Sequence, residues 1–237
     1  MPARTPPILR LRPAVKRIES AAWRTLQSCR EHLDLAAVPV PVPVEQWIEH
    51  PLGYRFGVVR LPKGVLGQAF IKDREIEVSD QIANEGRFRF TCAHELGHQV
   101  LHRRGTAAFT DTKVMLSGPR QRVEWEADRF AAAFLMPIPL VIEHLFLLRD
   151  ELGLSREEMT TLLNNDEASL SMWRDQFIPG IANRFGVSRE TTVYRFGEIE
   201  LADGSPFLPR EHRPRLLVRK PSSTPRDEVQ PRLFRQR

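Results

Sequence analysis

The sequence predicts an α+β fold: a few short strands, then a mostly helical C-terminal half, with basic ends. Three observations predict it. Short runs of β-branched and aromatic residues between turn residues cluster from 55 to 79. From about residue 87 onward, apolar residues recur instead at helical spacing. The first and last stretches are rich in Pro and Arg and carry no apolar periodicity.

The elements follow in order. Residues 1–14 read as a disordered basic arm. Val15–Leu35 reads as an amphipathic helix through Ile18, Ala22, Leu26, Cys29 and Leu33. Pro39, Pro41 and Pro43 impose an extended linker, because proline cannot continue a helix. Glu45–His50 reads as a short helix. Strands are expected over Arg55–Leu61, Gly67–Lys72 and Glu75–Ser79, with a tight turn near Asp73 and Arg74 between the last two. Arg87–Arg103 is a helix, Arg104–Gln121 a loop, and the segment from Val123 a second helix that Pro137 ends. Beyond it come Ile138–Leu152, a helix opened by the capping pair Ser155 and Glu158, and Ser169–Phe177. Residues 178–198 then resemble a helix-turn-helix, with a Gly186-Val187-Ser188 turn. Residues 201–237 read as a disordered Pro/Arg-rich basic tail, which leaves 15–200 as the folded domain.

Charge and cysteine usage narrow the class. The net charge is +5, but residues 205–237 hold +6 and residues 1–17 hold +5, so residues 18–204 carry −6. A basic folded surface is therefore not expected, and nucleic-acid binding is disfavoured. Only Cys29 and Cys92 occur, far apart, so no disulfide framework is expected. No run of eighteen apolar residues exists and Met1–Pro13 lacks an apolar signal core, so no membrane span is expected and the protein reads as cytoplasmic.

The chemistry lies in Thr91-Cys92-Ala93-His94-Glu95-Leu96-Gly97-His98. Helical residues four apart lie about 400° round the axis, so His94 and His98 share a face one turn apart. Two imidazoles so placed can reach one tetrahedral zinc at about 2.0–2.1 Å, with Glu95 beside them to take a proton from water. Cys92, Leu96 and Val100 point away, toward a core. Some twenty-five residues on, Trp125, Ala127, Phe130, Ala131 and Phe134 form an apolar stripe, and Glu124 and Asp128 share another face of the same helix. Glu124 is then the third ligand and Asp128 the group that orients a ligand histidine through its other ring nitrogen.

Two rivals for the third ligand are weaker. Glu126, two residues from Glu124, faces another side of the helix. His102 lies eight residues from His94, about 12 Å along the axis, and reads as a structural or rim histidine. The longer metzincin pattern needs Gly at 101 and His at 104, where this chain has Leu101 and Arg104.

At these residues the chain resembles the ImmA/IrrE-like metallopeptidases. The resemblance rests on Arg87 through His98, on Val100-Leu101-His102, and on Glu124 through Pro137 with its Phe-Ala and Leu-Met-Pro; a looser likeness runs from about Val38 to Gly197. It implies a gluzincin-like zinc site in which a small sheet packs on the helix of His94, with one sheet edge free for an extended substrate. Carried over, His94, His98 and Glu124 are zinc ligands and Glu95 is the catalytic acid/base. Where the family commonly has Asn, this chain has Asp128, which also accepts from an imidazole N–H. The implied activity is a zinc-dependent intracellular endopeptidase that cuts a regulatory protein of the helix-turn-helix repressor type, in a stress or mobile-element response. The alternative is a DNA- or partner-binding transcriptional regulator whose zinc site is structural or sensory. Tyr54, Tyr194 and His144 remain open as donors to a developing oxyanion.

Overall fold

The computed structural model describes residues 13–102, 108–112 and 119–217. Helix α1 (Pro13–His32) buries Ile18, Ala22, Leu26 and Cys29, the stripe that its sequence spacing predicts. After the proline linker come α2 (Val44–Glu49) and strands β1 (Arg55–Val59), β2 (Val65–Phe70) and β3 (Glu75–Ser79). Helix α3 (Glu85–Leu101) starts at Asn84, whose side chain accepts from the Arg87 amide at 2.9 Å.

The sheet has four strands in the order β1-β3-β2-β4, where β4 is Ala108–Thr112. β1 pairs with β3 in parallel, and β2 lies antiparallel to both β3 and β4. The turn between β2 and β3 puts Arg74 at φ 52°, where the expected tight turn lies. β4 corrects the expectation of a loop over Arg104–Gln121. Its short run sits among Gly, Ser and Pro with no clear alternation, and it becomes a strand because the outer edge of β2 is there to pair with it, Phe109 opposite Ala69.

The C-terminal half is helical. It comprises α4 (Pro119–Leu135), α5 (Ile138–Glu151) and α6 (Arg156–Thr160), whose start is the reciprocal Ser155–Glu158 capping box. Helix α7 (Glu167–Met172) runs through a π turn into α8 (Ile178–Phe185), and α9 (Arg189–Phe196) follows. Between α8 and α9, Gly186 takes φ 62° and Ser188 caps α9 by accepting from the Thr191 amide at 3.0 Å. The pair has helix-turn-helix form, but α9 turns inward. Thr192, Val193, Arg195 and Phe196 are buried, and Arg195 donates to the Met136 carbonyl at 2.8 Å and to Glu19 of α1 at 2.8 Å.

The tail expectation needs correcting over residues 201–217. Glu200 bridges Pro206, Leu208 is buried, and Phe207 meets Trp173 with ring centroids 5.7 Å apart. Helix α10 (His212–Leu217) brings His212 Nε2 within 3.1 Å of Ser169 Oγ. Two adjacent apolar residues anchor this stretch, too few to register as periodicity. The rest of the expected tail, 218–237, and residues 1–12 of the expected arm lie outside the described residues. Among the described residues no single helix is long and apolar enough to cross a membrane.

Replacing Arg195 by Ala should leave the Glu19 carboxylate facing a hole in the interior. The expected cost is about 3–5 kcal/mol, as for other broken buried pairs, read as a lower urea midpoint with unchanged slope. A loss below about 1 kcal/mol would mean that α1 does not depend on this contact.

Candidate metal centre

Helix α3 is enclosed on nearly every side. Residues Arg89 and Thr91 through Gln99 are all buried, polar ones included, so each polar side chain needs a partner. Gln99 donates to the carbonyls of Phe70 and Glu75 at 3.0 and 2.9 Å, joining the helix to the β2–β3 hairpin. Arg89 donates to the carbonyl of Gly186 at 3.1 Å and to that of Val42, which ties α3 to the α8–α9 turn and to the proline linker.

Helix α4 crosses α3 at Gly97. A Cβ there would lie 3.2 Å from the Cα and carbonyl oxygen of Ala127 and from the Cβ of Phe130. Only the missing side chain lets the backbones come this close, and the approach delivers the acidic face of α4 to the histidines. Glu124 Oε2 lies 3.1 Å from His94 Nε2 and 3.5 Å from His98 Nε2, and the two Nε2 atoms are 3.1 Å apart. A tetrahedral ion with bonds of about 2.0–2.1 Å has ligand atoms about 3.3 Å apart. Three donor atoms thus already stand near the corners of such a site, and His94, His98 and Glu124 form a group able to hold a metal.

Electrostatics fit the same reading. Burial opposes protonation of His94, but hydrogen bonds to Asp128 and Glu124 outweigh it and raise its pKa well above the usual value. Burial would raise Glu124, yet the two histidines bring its pKa down to about 2. Burial, with His94 and His102 beside it, drives His98 down to about 4 against the opposing pull of Glu124. An ionised carboxylate and two imidazoles thus face one another in a buried cluster, the kind of donor set that a divalent cation takes.

The other expected residues fall as follows. Asp128 Oδ1 lies 2.9 Å from His94 Nδ1, although its side chain is 57% exposed. Glu95 is buried on the flank of α3 that faces β2. At Gly67 of β2 a Cβ would stand 2.5 Å from Glu95 Oε1 and 2.8 Å from its Cγ, so the absent side chain is what makes room for Glu95. Glu126 turns away from Glu124 and meets His102, with Oε2 3.1 Å from Nε2. Phe109 of β4 stacks on His98 at 4.4 Å with the planes 6° apart.

Trp125 corrects an expectation. It is 41% exposed, because it lies about 200° round the helix from Ala127 and so outside the buried stripe of Ala127, Phe130, Ala131 and Phe134. It lines a cleft of about 460 Å³ with Phe90, Asp128 and Tyr194. Of the three oxyanion candidates, Tyr194 thus stands beside Asp128. Tyr54 is buried under the Arg74 guanidinium, and His144 packs edge-on against Phe185. Sequence reasoning missed Gly67 and the contact of His102 with His98; the only signal was the third histidine at four-residue spacing.

Residues 62–196 match the family model Peptidase_M78, the IrrE N-terminal-like domain, and the chain belongs to this metallopeptidase family. The match ends at the last residue of α9, so the helix-turn-helix-like pair falls inside it. No curated protein matches the chain.

His94→Ala, His98→Ala and Glu124→Ala should each lower metal content measured by elemental analysis, whereas Gly67→Ala should keep the metal and displace Glu95, lowering turnover at least tenfold. Full activity in Gly67→Ala would show that Glu95 needs no room there. Because a metal must displace the proton that His94 holds, metal affinity should rise with pH through neutrality. A titration showing affinity flat between pH 6 and 8 would count against this site.

Proposed function

We propose that this family member is a zinc-dependent endopeptidase that cuts one regulatory protein of the helix-turn-helix repressor type in the cytoplasm. The observation that carries the reading is the convergence of His94 Nε2, His98 Nε2 and Glu124 Oε2, with Glu95 buried beside them. Two imidazoles and one carboxylate are one of the donor sets of catalytic zinc sites, which keep a further position open; structural sites close it with a fourth protein ligand. Zinc, when bound, would supply a Lewis acid and lower the pKa of water toward neutrality. Glu95 would take the proton of the attacking water and return it to the leaving amine. Asp128 would hold His94 with its Nε2 lone pair inward.

The outer edge of β4 would accept an extended segment by strand addition. It lies beside the centre, since Phe109 stacks on His98. The helical half would add selectivity, and Phe146 and Leu147 on α5 are exposed apolar residues available for docking. Both cysteines are free and buried, which suits a reducing compartment. The regulator reading is disfavoured by α9: Arg195 is spent in the interior, which leaves Arg189, Glu190 and Tyr194 as its exposed side chains.

Incubation with candidate repressors should give a single cut, abolished by chelator and by Glu95→Gln, and little hydrolysis of casein-like proteins. Rapid, sequence-tolerant digestion of unrelated unfolded proteins would point to a housekeeping peptidase instead.

A further inference from the structure

The metal-ligand reading assigns one orienting partner, Asp128 on His94. The second histidine has a partner of a different kind. His98 Nδ1 lies 3.1 Å from His102 Nδ1, and His102 Nε2 lies 3.1 Å from Glu126 Oε2. Glu126 is nearly closed off, with its side chain 8% exposed, and receives Arg17 of α1 and Arg122 at 3.2 Å each. Phe109 covers the second face of the pair, 4.4 Å from the ring of His98 and 5.5 Å from that of His102.

With Glu126 ionised and His102 neutral, proton bookkeeping along this chain has one solution. An ionised carboxylate only accepts hydrogen bonds, so His102 Nε2 must carry the hydrogen that faces Glu126. Neutral His102 then has a bare Nδ1, which can only accept. His98 must therefore carry its hydrogen on Nδ1, and its Nε2 lone pair is left pointing at Glu124 and His94. The opposite wiring would set a bare His102 nitrogen against the carboxylate and a hydrogen on the His98 nitrogen that a metal needs.

We propose that His102 and Glu126 are positioning residues for His98, a two-step relay that fixes the tautomer and orientation of this ligand as Asp128 does for His94. The proposal rests on the metallopeptidase reading and assigns roles to two residues outside the ligand set. Three acids on one helix then serve the centre together: Glu124 as ligand, Asp128 directly behind one histidine, Glu126 behind the other through His102. The Arg17 contact makes α1 the outer support of the relay. Arg17 itself is 64% exposed, so its own share should be small.

The test is zinc affinity of the full-length protein, measured by competition with a chromophoric chelator, together with the visible absorption spectrum of the cobalt(II)-loaded form. His102→Phe and Glu126→Ala should each weaken zinc binding about 10–100-fold, as loss of an orienting partner does, and should alter the cobalt bands. Glu126→Gln, which can still accept from His102 Nε2–H, should recover most of the affinity. Because the two residues act in series, the double variant His102→Phe/Glu126→Ala should bind zinc no more weakly than His102→Phe alone. His102→Phe combined with Asp128→Ala should multiply the two losses. Thermal unfolding of the metal-free variants separates a damaged fold from a loosened ligand; should His102→Phe fail to fold, Glu126→Ala against Glu126→Gln decides. Wild-type zinc affinity in folded His102→Phe or Glu126→Ala, or multiplied losses in the double variant, would overturn the relay and leave the peptidase reading standing. A wild-type protein that binds neither zinc nor cobalt would overturn both.

Discussion

Gly97 stands where α3 and α4 touch backbone to backbone, and the centre depends on that contact. A methyl group there would meet the Ala127 backbone at 3.2 Å and force the helices apart. The hydrogen bonds that bind the two helices have little slack: 3.1 Å from Glu124 to His94, 2.9 Å from Asp128 to His94, 3.1 Å from Glu126 to His102. Since useful hydrogen bonds end near 3.2 Å, a displacement well under an ångström would loosen all three at once. Alanine and glycine at the crossing are therefore as much a part of the site as the side chains that carry its charge.

A helix as buried as α3 raises the question of how its polar groups are accommodated. Each makes a tie to a different neighbour: Gln99 to the hairpin of β2 and β3, Arg89 to the linker and the α8–α9 turn. Such ties add little net stability when made, but leaving one unmade is costly. They act mainly as specification, so that the sheet, the linker and the helical half have one way of docking on α3. Gly67 belongs to the same logic, since β2 can lie over Glu95 only where it has no side chain.

The helical half shows how a familiar outline can be put to another use. The α8–α9 pair has the turn, the glycine and the serine cap of a helix-turn-helix, yet α9 directs Arg195 inward to Glu19 and the Met136 carbonyl. A buried, bidentate arginine cannot also meet phosphate or base edges. The pair closes the domain, and the cleft formed by Trp125, Asp128 and Tyr194 lies where α9 meets α4.

What the sequence by itself determined is local and periodic. Residues four apart on a helix share a face whatever the rest of the chain does, so His94 with His98 and Glu124 with Asp128 were legible, as were the α1 stripe, the Ser155–Glu158 cap and the Gly186 turn. The tertiary structure decided everything that needed two distant segments to meet. β4 exists because β2 offers an edge, and residues 201–217 are held because Phe207 and Leu208 find Trp173 and the core. Trp125 is exposed because α4 has only one buried face, and packing chose which. The joining of Glu126 to His102, and of His102 to His98, required α3 and α4 to cross at one angle and depth. Spacing along a chain fixes angles about a helix axis, but not which face a neighbour will cover.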